Sequence, residues 1–167
     1  IYPGHVLMSL MYSGITEQDL NQMLKYDILH FHWIAKYLSV EALRYLSNNG
    51  KKLVWTLHDL NPMTGGCHCA YGCHGYQHEC AECHQLRDNP YDITRKILRI
   101  KEKYIPKDLV VVSPSKWLAD CAKKSKVFSH HRIEIIPNSI ELDSFFNMNK
   151  NQAKKLLHIH EDALTIL

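Results

Sequence analysis

The sequence predicts an α/β fold in which a parallel sheet is flanked by helices. Short apolar runs rich in branched and aromatic residues stand at 27–33, 53–57, 109–112 and 132–136. Helix start and stop signals fall between them, and strands alternating with helices feed a parallel sheet. A chain of 167 residues with 46% hydrophobic and 22% charged content is long and apolar enough to bury one such core.

The elements follow in order. Thr16 with Asp19 starts a short helix that carries Leu20, Met23 and Leu24. Residues 27–33, Asp-Ile-Leu-His-Phe-His-Trp, form a strand on which His30 and His32 share one face, with Phe31 and Trp33 on the other. Ser39 caps a helix holding Leu43 and Leu46, and Asn48, Asn49 and Gly50 stop it. The run 53–57 suits a strand buried on both faces. Asp92 caps a further helix, and Ile93, Ile97, Ile100 and Tyr104 draw one apolar stripe along it until Pro106. The strand 109–112 leads through Ser113, Pro114 and Ser115 into a helix with Trp117, Leu118, Cys121 and Ala122 inward. A fourth strand ends at Pro137 and Asn138, a helix starts at Lys150, and 164–167 reads as the beginning of another strand.

Composition excludes some functions. The net charge is +3 and the pI near 8.5, too mild for a nucleic-acid binder, in which one expects a focused basic patch and a pI above about 9. No run approaches the roughly 20 apolar residues of a membrane-spanning helix. The first residues show no secretory leader pattern, but the sequence begins at Ile1 rather than Met, so this excludes nothing about what precedes them. There is no P-loop, no GxGxxG and no serine elbow.

Two features stand out. His58 leaves the end of the central strand, and residues leaving the C-terminal ends of parallel strands line the ligand crevice of open α/β sheets. Such a histidine either bonds loop backbone or faces a ligand; Asp59 beside it either caps the next turn or orients it. Behind them lie Cys67, Cys69, Cys73, Cys80 and Cys83, five cysteines within 17 residues. The Cys80-x2-Cys83 spacing suits a metal knuckle. Four thiolates from Cys67, Cys73, Cys80 and Cys83, with Cys69 extra, would close a tetrahedral, structural zinc site. Disulfides and free thiols are the other readings, and His68, His74, His78 and His84 are either substitute ligands or exposed loop residues. Cys121 reads as a buried apolar thiol.

Six segments in order resemble one family: 27–33; Val54-Trp55-Thr56-Leu57-His58-Asp59; Thr64-Gly65-Gly66-Cys67-His68; Cys80-Ala81-Glu82-Cys83; Val112-Ser113-Pro114-Ser115-Lys116-Trp117-Leu118; and Ile136-Pro137-Asn138-Ser139-Ile140. From about residue 27 onward the chain resembles the N-terminal half of family 4 glycosyltransferases. The likeness is greatest to bacterial members with a cysteine-rich insertion that serve cell-surface polysaccharide synthesis. The resemblance implies a Rossmann-like acceptor domain, one half of a GT-B fold, over residues 1–145, incomplete at its start. Residues 146–167 would be the linker and first part of a donor domain. It implies transfer, with retention, from a nucleotide-sugar donor to a saccharide or lipid-linked acceptor, in the cytoplasm and in peripheral contact with the inner face of the plasma membrane. By position, His58 would face the donor sugar; Asp59, Thr64, Gly65 and Gly66 would flank the acceptor pocket; Ser113 and Ser115 would lie in the strand-end loop at the cleft; and Asn138 would lead to the second domain. Ser139, Glu141, His84 and Cys69 stand where the family usually has Gly, Asp, Pro and an aromatic. On this reading the chain is a fragment, inactive alone. The competing expectation is a metal-stabilised binding module that uses the cysteine loop.

Overall fold

The computed structural model describes residues 7–10, 12, 14–86 and 88–166. Four strands, β1 (Ile28–Phe31), β2 (Lys52–Thr56), β3 (Val110–Ser113) and β4 (Ile133–Ile135), form one sheet in the order β1-β2-β3-β4. Every pairing is parallel, with Phe31 opposite Trp55, Trp55 opposite Val111 and Val111 opposite Ile133. All strands therefore end at the same edge, and the chain leaves β1, β2 and β3 there as loops.

Helices α1 (Glu17–Met23), α2 (Val40–Asn48), α3 (Ile93–Tyr104) and α4 (Lys116–Lys124) flank the sheet. Their starts follow the side-chain chemistry of the caps. Thr16 and Asp19 form a reciprocal capping box, Ser39 accepts from the Ala42 amide, and Ser115 accepts from the Leu118 amide. The core joins Leu53, Trp55, Leu57 and Val111 of the sheet region to Leu38, Leu43, Leu46, Leu98, Ile105 and Phe128. Trp55 meets Phe128 edge to face, with ring centroids 6.1 Å apart.

Four expectations need correction. The inner face of α3 is Thr94, Leu98 and Lys101, continuing to Ile105, one residue on from the expected stripe, and Ile100 is exposed. Polar residues hid that face from the apolar pattern, yet both have partners inside. Thr94 Oγ1 donates to the Cys80 carbonyl at 2.5 Å, and Lys101 Nζ donates to the carbonyls of Asn61 and Thr64. Asp92 does not cap α3; its backbone is left-handed at φ 53° and its carboxylate pairs with Arg95 at 3.0 Å instead. On α4 the buried residues are Leu118, Ala119 and Ala122, whereas Trp117 is 64% exposed and Cys121 half-buried. Residues 164–166 form no strand, and Leu167 lies outside the described residues.

By contact the chain forms two compact units, Ile1–Pro137 and Asn138–Leu167. The second contains helix α5 (Lys150–Leu156), started by the Asn149 side chain and closed by Lys154, whose Nζ donates to the carbonyls of Glu161 and Ala163. Among the described residues no helix is long and apolar enough to cross a membrane.

Below β4, His131 donates from Nε2 to the Pro106 carbonyl at 3.1 Å and leaves Nδ1 buried without a partner. Protonation would add a buried N–H with nothing to accept it. Burial accordingly pushes this imidazole below its usual 6.5, and the same cause lowers His30. A histidine depressed in the folded state binds its proton more readily when unfolded, so stability falls as pH drops below 6.5 toward the folded value. The melting temperature of the wild type is expected to drop more between pH ~7 and ~5 than that of His131→Asn, and equal slopes would refute the assignment.

Candidate functional site

The site grows from the ends of β1 and β2. Because His30 and His32 lie two apart, both rings point to one side, and they pack 4.5 Å apart. His30 Nε2 bonds Thr56 Oγ1 at 2.7 Å. His32 Nδ1 lies 2.9 Å from His58 Nε2, so one of these two rings supplies the hydrogen. His58 is exposed at the mouth of the sheet edge, not sealed in the core.

Asp59 turns the other way. Its Oδ1 accepts from the Asn61 amide at 2.7 Å, and its Oδ2 accepts from His68 Nδ1 at 2.6 Å. It therefore both starts the turn and orients a histidine, but that histidine is His68. His68 is 4% exposed, and its Nε2 lies 2.9 Å from Ser9 Oγ. The carboxylate can only accept, which puts the ring hydrogen on Nδ1 and leaves Nε2 to accept from the Ser9 hydroxyl. Trp33 lies over this ring, centroids 4.8 Å apart and planes 15° from parallel. The expectation that His68 is an exposed loop histidine fails. Nothing in its spacing told it apart from His74 or His78, because the partners that bury it come from positions 9, 33 and 59.

A cavity of about 250 Å³ opens between these groups, walled by Trp33, Thr56, His58, Asp59, Asn61 and His68 among others. The loop behind it is tied by its own polar groups. Asn61 Nδ2 donates to the carbonyls of Gly66 at 2.7 Å and Ser9 at 3.2 Å. Thr64 Oγ1 donates to the Cys67 carbonyl at 2.7 Å and accepts from the Gly66 amide at 3.2 Å. Thr64, Gly65 and Gly66 are buried behind the cavity and do not line it. Gly65 must be glycine, since a Cβ there would meet the Thr94 carbonyl oxygen at 2.5 Å. Lys101, fully buried, holds the same turn through Asn61 and Thr64, and desolvation pushes its amine down to about 7.

Ser113 and Ser115 sit at the same edge of the sheet, at the end of β3. Ser113 Oγ donates to the Ser115 carbonyl at 2.8 Å while Ser115 starts α4, and neither lines the cavity. Asn138 opens the second unit and is exposed.

The cysteines organise a second cavity of about 320 Å³, walled by Cys67, Cys73, Cys80 and Cys83 with Gly65, Thr94 and others. These are the four that the spacing singled out; Cys69 is exposed outside it. Burial pushes the Cys67 thiol up and the Cys80 thiol up to about 11, opposed by hydrogen bonds from Thr64 and from the Gly65 amide respectively. The Gly75 amide points at Cys73 Sγ, 3.3 Å away. All six cysteines are free. As placed, no group of three or more His, Cys, Asp or Glu among the described residues is arranged to hold an ion.

Comparison with known proteins bears on the family. The chain is 28% identical over 141 residues to the putative colanic acid biosynthesis glycosyl transferase WcaC of Escherichia coli strain K12. That alignment takes in 79% of this chain and 34% of the relative, so the chain spans about a third of the protein it matches. No solved structure matches it significantly. The sequence model of Glycosyltransferase Family 4 matches residues 5–144, most of the chain and all four strands, and the chain belongs to that family.

Proposed function

We propose that this chain is the acceptor-binding part of a glycosyltransferase that moves a sugar, with retention, from a nucleotide-sugar donor to a saccharide or lipid-linked acceptor in cell-surface polysaccharide synthesis. The carrying observation is His58, exposed where the central parallel strand ends and bordering a cavity with Trp33 and Asp59. A relative named for colanic acid biosynthesis supports the polysaccharide setting. In this reading residues 1–145 form the acceptor domain of a GT-B enzyme and 146–167 begin the donor domain, which holds most of the nucleotide sugar. His58 hydrogen-bonds the donor sugar as positive charge develops on its ring, where a fixed polar group contributes most. Asp59, Thr64, Gly65 and Gly66 hold the acceptor loop in shape. Ser113, Ser115 and Asn138 meet substrate once the second domain is in place. The enzyme works in the cytoplasm, in peripheral contact with the inner membrane face.

Screening the full-length enzyme against nucleotide sugars, with lipid-linked and free saccharide acceptors, is expected to give transfer, and residues 1–167 alone none. No transfer by the full-length enzyme with any donor would overturn the reading and favour a binding module. Transfer by the 1–167 chain alone would overturn its assignment as half a site.

For the cysteine loop we propose one structural zinc on Cys67, Cys73, Cys80 and Cys83. The donor set suits zinc, and amide hydrogens already aim at Cys73 and Cys80, as the outer contacts of metal thiolates do. Their present arrangement does not close around an ion, so the loop must tighten on binding. The ion would staple the loop and take no part in transfer. Metal analysis of purified protein is expected to give one zinc per chain, with a lower melting temperature after chelation. No metal and no free thiols would assign disulfides instead.

A further inference from the structure

We propose that the exposed indole of Trp33 is the surface on which a pyranose ring of the acceptor stacks, held flat by the buried chain Ser9–His68–Asp59. The inference rests on the glycosyl-transfer reading of this site and names the part of the substrate that it grips.

Trp33 follows the end of β1 and is 55% exposed. Its indole is not loose, because its underside rests on His68 almost in parallel. His68 in turn cannot rotate without breaking bonds at both ring nitrogens, 2.6 Å to Asp59 and 2.9 Å to Ser9. Asp59 is itself fixed by the Asn61 amide. Three buried or half-buried polar residues thus fix the plane of one exposed aromatic ring. Besides covering His68, that stacking pre-orders the indole for a flat ligand and so lowers the ordering cost of binding.

The ligand chemistry follows from the surroundings. A pyranose presents a face of C–H bonds and a rim of hydroxyls. The C–H face suits the electron-rich indole face, and the rim needs hydrogen-bonding groups nearby. His58 and Asp59 border the same cavity as Trp33 and offer such groups.

The test uses the full-length enzyme and measures KM for acceptor and donor separately. Trp33→Ala is expected to raise acceptor KM about tenfold or more while donor KM and donor hydrolysis stay within about twofold. Trp33→Phe should keep most of the affinity and Trp33→Leu, apolar but not flat, should not. His68→Ala should reproduce part of the rise and His68→Phe, which restores a flat support, should recover it. An unchanged acceptor KM in Trp33→Ala, or a change in donor KM alone, overturns the platform and leaves the transfer reading intact. If the wild type transfers nothing, the transfer reading fails and the platform is read by itself. Methyl glycosides of glucose, galactose, mannose, fucose and glucuronic acid are then titrated against tryptophan fluorescence. A shift with any of them that Trp33→Leu abolishes supports the platform, and no shift with all five overturns it.

Discussion

Replacing His58 by Ala in the full-length enzyme is expected to lower kcat for sugar transfer by about two to three orders of magnitude, the loss typical of one preorganised polar group or general acid–base residue. The fold should survive. His58 is exposed, and the bond that it gives up goes to His32, itself exposed. The melting temperature is therefore expected to stay within about 2 °C of wild type, which corresponds to about 0.5–1 kcal/mol at most for a chain of this size. Donor and acceptor KM should move less than kcat, because the interaction strengthens only as charge develops on the sugar. His58→Gln, which keeps a donor at similar reach, should recover part of the rate. A kcat within threefold of wild type would remove His58 from the chemistry and leave it as a bystander at the rim.

Asn61→Ala is expected to act in the opposite way, on stability first. The Asn61 side chain is 3% exposed and donates to the carbonyls of Gly66 and Ser9. Truncation orphans the Ser9 carbonyl, whereas the Gly66 carbonyl keeps the Ser9 amide as a donor, so a loss of about 1–3 kcal/mol is expected. For a domain of this length that lowers the melting temperature by about 2–12 °C. The damage should be local as well as global, because Asn61 ties the segment carrying Ser9 to the turn that carries Asp59. Acceptor KM should rise at temperatures where the protein is still folded. A variant as stable as wild type would mean that water replaces the amide without cost.

Much of this architecture was legible in the chain because it rests on local patterns. The runs around Val54–Thr56 and Val110–Val112 are apolar, branched and bounded by turns, and Thr16, Ser39 and Ser115 carry the side chains that helix starts require. The exposed place of His58 at a strand end was legible for the same reason, because it is the first polar ring after a buried strand. The errors fall where buried polar groups satisfy one another over long sequence distances. Lys101 and Thr94 look like solvent-facing positions until the carbonyls of Asn61, Thr64 and Cys80 are brought to them, and the inner face of α3 was misplaced by one residue as a result. His68 needed Ser9, Trp33 and Asp59 at once, and no periodicity encodes that meeting. Spacing did single out Cys67, Cys73, Cys80 and Cys83 from the five cysteines of the loop, because a shared cavity demands returns of the chain at short intervals.

The two cavities take their linings from adjacent residues of one segment. Cys67 lines the thiol-walled one and its neighbour His68 the one beside Trp33, and the segment is fastened to Leu7 and Ser9 by backbone bonds. If the proposed zinc and the proposed platform both hold, a displacement of Cys67 on chelation or oxidation is one peptide unit away from His68, the ring on which Trp33 rests.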